Sequence, residues 1–173
     1  MLEKARGLEV DEVVIDLEDA VVPERKAAAR AQALAALAAG TVASARVNAP
    51  RTPWAHEDLI ALGGTAPRPR SIVVPKVEGA GDLAFVDRLL DGVERAAGHE
   101  EPLRVQALVE SAAGLRALDE IVAASPRLEA LVLGYADLGV SLGRSRKLIS
   151  ATPGPIPWML PENTLFRMSC FAP

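Results

Sequence analysis

Two acids stand just past the ends of apolar runs in the second half of the chain. Glu110 follows 103–109, and Asp137 follows the run at 128–133 within Gly134-Tyr135-Ala136-Asp137-Leu138-Gly139. If both runs are strands joined by a helix, they are neighbours in a parallel sheet, and the two carboxylates come side by side at one edge. Two carboxylates plus waters is a common way to hold Mg²⁺. A third acidic group lies near the N-terminus, where Val13-Val14-Ile15 runs into Asp16-Leu17-Glu18-Asp19. Alternation along a strand points Asp16 and Glu18 the same way. Crowded carboxylates repel unless a cation, a basic ligand or a proton offsets them. This stretch is therefore either one wall of a metal or acid–base site, or a strand end followed by acids at a helix start. Arg46, in Arg46-Val47-Asn48, would be costly to bury on an interior strand without an anion, and its planar fork suits a carboxylate. Lys26 and Arg30 lie four apart on one helix face, which fits a solvated basic stripe or a contact to an anionic ligand. His56, on a short surface helix, reads as bland.

These residues need a frame that brings strand ends together. The β-branched segments 13–17, 43–48, 71–76, 103–109 and 128–133 read as strands. Between them, 23–39, 54–62, 82–97 and 115–124 read as helices. Pro23 is placed at a helix start and Gly40 past its end. Asp82 is expected as an N-cap. The alternation argues a parallel sheet or a (β/α) barrel, in which ligands gather at the carboxyl ends of the strands. Lys76 and Glu78 follow one such end and either face a site or simply pair. No Gly-x-Gly-x-x-Gly follows the first strand and no Walker motif occurs, which disfavours nucleotide-binding folds. Residues 145–173 hold five prolines and no sustained period, and read as an irregular tail outside the domain at 1–144.

Composition narrows the classes further. A net charge of -4 argues against nucleic acid or an anionic membrane as partner. The single cysteine, Cys170, leaves no intrachain disulfide and no cysteine zinc site. No apolar run approaches the ~20 residues of a membrane span. With no signal-peptide core at the start, a cytoplasmic location is expected. Aromatics are 3% of residues, so the core must be built mainly of Ala, Leu and Val.

The ordered blocks Asp16-Leu17-Glu18-Asp19-Ala20-Val21, Arg46-Val47-Asn48, Val74-Pro75-Lys76, Val109-Glu110-Ser111-Ala112-Ala113-Gly114 and Gly134-Tyr135-Ala136-Asp137-Leu138-Gly139 resemble the citrate lyase β-subunit-like branch of the HpcH/HpaI aldolases. The resemblance implies a (β/α)₈ TIM barrel, trimeric or hexameric in intact relatives. It implies a carbon–carbon lyase that cleaves a 3-hydroxyacyl thioester of CoA or of a carrier protein, of the citryl, malyl or citramalyl type. The products would be an α-keto acid and an acyl thioester. By the same resemblance Glu110 and Asp137 bind Mg²⁺ and Arg46 clamps the keto-acid carboxylate. Glu18 and Asp19 would hold metal-bound water, and Lys26 and Arg30 would approach the CoA phosphates. A general base is not identified. A thioesterase on the same metal site, or an inert fragment that assembles with a full-length lyase, are the alternatives. The family's first strand and its βα units beyond Gly143 find no match, so about five of eight strands are expected. An incomplete barrel leaves open edges and exposed core, so the chain alone is expected to be unstable or inactive.

Overall fold

A computed structural model describes residues 12–40, 43–143 and 166–169. Five parallel strands alternate with helices: β1 (Val14–Asp16), β2 (Ser44–Arg46), β3 (Ser71–Val74), β4 (Arg104–Val109) and β5 (Leu128–Leu133). They lie in sequence order in one sheet. This is the α/β arrangement that strand–helix alternation predicts, because each crossover helix returns the chain to the adjacent parallel position. A sixth strand, β6 (Phe166–Ser169), pairs antiparallel with β5. It lies within the segment expected to be irregular, so that expectation is corrected at these four positions. The first eleven residues and most of the tail lie outside the described residues. Among the described residues no helix is long and apolar enough to cross a membrane.

Period-two alternation gives the sheet two distinct faces. Ala45, Ile72, Val74, Val105, Ala107 and Val109 turn to one face and join the main core. That core is closed by α1 (Lys26–Ala38), α2 (Ala55–Gly64), α3 (Ala80–Ala97) and α5 (Leu118–Val122), through residues such as Leu37, Leu59, Leu90 and Ile121. The opposite face carries a smaller apolar cluster of Val73, Leu108 and Val132, with Val14 against it. Below it, at the strands' N-terminal ends, Gln106 Nε2 donates to Ser71 Oγ at 2.7 Å, and the Ser71 and Ser44 hydroxyls lie 3.1 Å apart. Above it, at the carboxyl ends, come Asp16, Arg46 and Glu110. The inner face is thus polar, apolar, then charged along the strands, as in the layered interior of a barrel.

Local chemistry moves several helix boundaries. Pro23–Arg25 form a 3₁₀ turn that leads into α1, and Gly40 follows α1 at φ 64°, where a left-handed residue ends a helix. Asp82 is not an N-cap. Gly79 holds that position, and the Asp82 carboxylate in the first turn accepts the Glu78 N–H at 2.9 Å. The helix expected at 115–124 starts earlier, as α4 (Ala112–Arg116), because the Ser111 hydroxyl caps it by accepting the Gly114 N–H at 3.1 Å. Gly114 itself cannot carry a side chain, since a Cβ there would sit 2.4 Å from the Val77 carbonyl oxygen. A final helix, α6 (Tyr135–Ser141), begins right after β5.

At the far end of the sheet from the acids, Arg127 is 3% exposed and anchors α3. It pairs with Asp87 at 2.7 Å and Glu94 at 2.8 Å, and Glu94 also accepts the Leu103 N–H at 2.6 Å. This buried network fixes the start of β4, and hence the height at which Glu110 emerges. Burial alone would lower the Arg127 pKa, but hydrogen bonds to Glu94, Asp91 and Asp87 outweigh that and raise it.

Candidate active site at the carboxyl ends of the strands

Arg46 is the hub of the site. Its Cα stands in register with that of Asp16 on the neighbouring strand. Its Nε and Nη2 donate to the two Asp16 oxygens at 2.8 and 2.6 Å, a bidentate fork. Its third nitrogen, Nη1, lies 3.3 Å from Glu18 Oε2 without hydrogen-bond geometry. Asp16 and Glu18 therefore do face the same way, with Leu17 between them in the core. Burial raises the Asp16 pKa, but the hydrogen bonds from Arg46 and from the Glu18 amide win, and it lies below the ordinary value. Glu18 goes the other way. Burial lifts it, the Lys76 hydrogen bond opposes, and repulsion from Asp19 adds to the rise.

The sequence left Lys76 undecided, and the structure makes it central. It is the one described non-glycine residue with positive φ, at 53°, a geometry that costs a side-chain-bearing residue about 1–2 kcal/mol. Its amide N–H donates to Glu110 Oε1 at 3.0 Å. Its ammonium donates to Glu18 Oε1 at 2.6 Å and reaches Asp19 at 3.4 Å. The Lys76 pKa is raised: burial would lower it, but the bond to Glu18 outweighs that. No periodicity signals this, because left-handed backbone at a strand end leaves no trace in hydrophobic spacing. Pro75-Lys76 at a strand terminus is the only hint.

Glu110 is 5% exposed, and its pKa is pushed up to about 7. Burial is the main cause. The Glu18 charge adds to it, the Lys76 N–H opposes, and the Asp137 charge raises it further. Asp137 lies in the first turn of α6 and is exposed. Gly134 lets the two elements approach. A Cβ at Gly134 would fall 2.6 Å from Glu110 Cβ and 2.9 Å from Glu110 Oε2. Gly134→Ala is expected to displace the Glu110 carboxylate and weaken divalent-cation binding about tenfold or more, with a stability loss of about 1–3 kcal/mol. Calorimetric Mg²⁺ titration beside a urea melt checks both, and unchanged affinity would show that Glu110 does not need this close approach.

The donor set suits a hard divalent cation. Glu110 is a buried carboxylate among like charges that the nearby Lys76 charge only partly offsets, and a cation would offset the rest. Among the described residues no group of three or more His, Cys, Asp or Glu converges as a metal cage. Mg²⁺ takes one or two carboxylates and keeps waters or substrate oxygens for the rest, a demand that Glu110 with Asp137 could meet.

For Lys26 and Arg30 the solvated-stripe reading is corrected. Lys26 is 6% exposed. Its ammonium donates to the Leu17 and Glu18 carbonyls at 2.8 and 2.7 Å and lies 5.3 Å over the Trp54 ring. Arg30 pairs with Asp58 at 2.7 Å and Glu57 at 2.8 Å. Asp58 in turn accepts from the Asn48 amide N–H and from Asn48 Nδ2, so Asn48 turns away from the Arg46 side. The two cations do not form a solvated stripe, because both are engaged with protein acceptors. They brace the turn that carries Glu18 and the segment after Arg46. An Ala-rich helix has no strong period to show which face is buried, so their burial was not legible. His56 is exposed, as expected.

Comparison with known proteins places this geometry. The chain is 38% identical to an L-malyl-CoA/β-methylmalyl-CoA lyase of Cereibacter sphaeroides over 157 residues, covering 88% of this chain and 49% of that enzyme. It is 36% identical over 146 residues to a (3S)-malyl-CoA thioesterase of the same species, covering 82% of this chain and 47% of that protein. It superposes on the citrate lyase β subunit of Mycobacterium tuberculosis, solved with oxaloacetate and magnesium, with a TM-score of 0.60 and 33% identity, over 80% of this chain and 54% of that one. The chain thus spans about half the length of the relatives it matches. Residues 1–150 match the family description HpcH/HpaI aldolase/citrate lyase. The match over residues 1–150, with 38% identity to the lyase across 88% of the chain, makes this chain a member of the HpcH/HpaI aldolase/citrate lyase family.

Proposed function

We propose that this chain carries the metal and keto-acid half of a Mg²⁺-dependent carbon–carbon lyase acting on a 3-hydroxyacyl thioester of the malyl, citramalyl or citryl type. The observation that carries the reading is the pairing of Glu110, buried beside Glu18 and Asp137 with too little positive charge around it, with the Arg46 fork on the same sheet edge. The lyase relative and the oxaloacetate–magnesium structure support it. Glu110 and Asp137 would hold the cation. A bound Mg²⁺ supplies Lewis-acid polarisation of the carbonyl that cleavage creates. Arg46 would orient the carboxylate of the leaving keto acid and offset its charge. Asp16 keeps that guanidinium in its plane, and Lys26 keeps the Glu18 turn in place. Glu18 and Asp19 would order water beside the cation.

The thioesterase relative favours a second reading, in which the same groups position a water against the thioester. Purified protein incubated with malyl-CoA and citramalyl-CoA, with and without Mg²⁺, separates the two. Release of glyoxylate or pyruvate supports the lyase. Free CoA with intact hydroxy acid supports the hydrolase. A folded protein that binds Mg²⁺ and yields neither overturns both, and leaves a chain that binds the cation and assembles with a partner.

A further inference from the structure

We propose that Lys76 is a positioning residue that divides the acids at this edge into two groups. Its amide aims Glu110 at the cation position, and its ammonium holds Glu18 out of the ligand set. The inference rests on the cation reading above.

The geometry is fixed from both sides. Pro75 before Lys76 and Val77 after it are both buried, and the Val77 N–H bonds to the Leu108 carbonyl at 3.2 Å. Between these anchors the chain takes left-handed backbone at Lys76, a place where glycine would be unstrained. What lysine adds there is its ammonium. An exposed lysine pairing with an acid is ordinarily weak surface chemistry. Here the acid is Glu18, 5% exposed at its side chain, and Lys76 is the one hydrogen-bond donor to its carboxylate among the described residues. The second Glu18 oxygen is buried without a hydrogen-bond partner. Glu18 also stands close enough to Glu110 for its charge to act there. A free Glu18 would be a third carboxylate beside a Mg²⁺ that needs open positions for a bidentate keto acid. Tying Glu18 to Lys76 keeps those positions open.

The test uses Mn²⁺ as the probe, titrated calorimetrically into the intact chain at pH 8, with and without pyruvate, and with folding checked by circular dichroism. In wild type, pyruvate should tighten Mn²⁺ binding. Lys76→Met should bind Mn²⁺ about tenfold more tightly, since another carboxylate joins the ligands and a positive charge leaves. Pyruvate should no longer tighten it. Lys76→Gly, which keeps the amide and suits the backbone, should behave the same way. Lys76→Arg should restore wild-type behaviour in part, and Lys76→Met with Glu18→Gln should return Mn²⁺ affinity towards wild type. A merely structural role would weaken binding in Lys76→Met or leave it unchanged, and either result in a folded variant overturns the inference while the cation reading stands. A wild type that binds no Mn²⁺ overturns both.

Discussion

Glu110→Gln is expected to abolish divalent-cation binding and at the same time to stabilise the metal-free protein at neutral and alkaline pH. Glutamine keeps a carbonyl oxygen to accept the Lys76 N–H and removes the charge. The sign follows from where the proton sits. The folded-state pKa is raised from an ordinary 4.5 to about 7, so the folded protein binds this proton more tightly than the unfolded chain does. Stability from this group is fully present below pH 4.5 and is lost as pH rises towards 7. Above that, ionised Glu110 destabilises the fold by on the order of 3 kcal/mol. Urea unfolding in the presence of a chelator should therefore show no difference between variant and wild type near pH 4, and a clear advantage for the variant at pH 8. Saturating Mg²⁺ should close that gap by stabilising wild type alone. If the protein has the proposed lyase activity, the same substitution should lower it by at least about a thousandfold, because the Lewis acid goes with the ligand. Equal pH dependence in the two proteins would mean that Glu110 is not the strained group.

Features that burial encodes along the chain were legible in the sequence, and those set by packing between distant segments were not. Strands were readable because β-branched residues and alternation encode burial directly. The run at Leu128–Leu133 was expected with those bounds and found with them. The placement of Glu110 was readable for a related reason. A carboxylate one residue beyond a buried strand, as at Glu110, sits where a parallel sheet opens to ligands. What connects the acids was not readable. The left-handed backbone at Lys76 depends on Pro75 and Val77 being held by neighbouring elements, and the burial of Lys26 depends on Trp54 and on two carbonyls from another segment. Both are products of tertiary packing with no local pattern. The start of α4 was misplaced because a single Ser111 hydroxyl caps it ahead of the apolar residues that set the period. The sheet's inner face also resists prediction. Ser44, Ser71 and Gln106 look like weak strand residues until their mutual hydrogen bonds are seen.

Arg46 tests whether the charged edge works as a binding site or only as a brace. If the protein has the proposed lyase activity, Arg46→Met is expected to lower carbon–carbon cleavage of the hydroxyacyl thioester by about a thousandfold, since it removes the guanidinium that would orient the keto-acid carboxylate. It should also lower stability by about 3 kcal/mol, because Asp16 loses both of its strong donors while still part-buried. That second effect obeys its own pH rule. The Asp16 pKa is held below the ordinary value, burial notwithstanding, chiefly by the Arg46 hydrogen bonds. Its contribution is therefore present above the unfolded pKa near 3.8 and is lost as the pH falls further. At pH 3 the stability difference between Arg46→Met and wild type should shrink. The double variant Asp16→Asn, Arg46→Met removes the stranded charge and should recover most of the stability at pH 7, since the two residues act as a pair. It should recover none of the cleavage, because nothing in it can grip a carboxylate. Arg46→Lys tells charge from shape. One ammonium cannot span both Asp16 oxygens in the way that Nε and Nη2 do at 2.8 and 2.6 Å, so KM for the hydroxyacyl thioester should rise although the charge is kept. If the double variant regained activity with stability, Arg46 would be a brace for the sheet edge, and recognition of the keto-acid carboxylate would have to lie elsewhere.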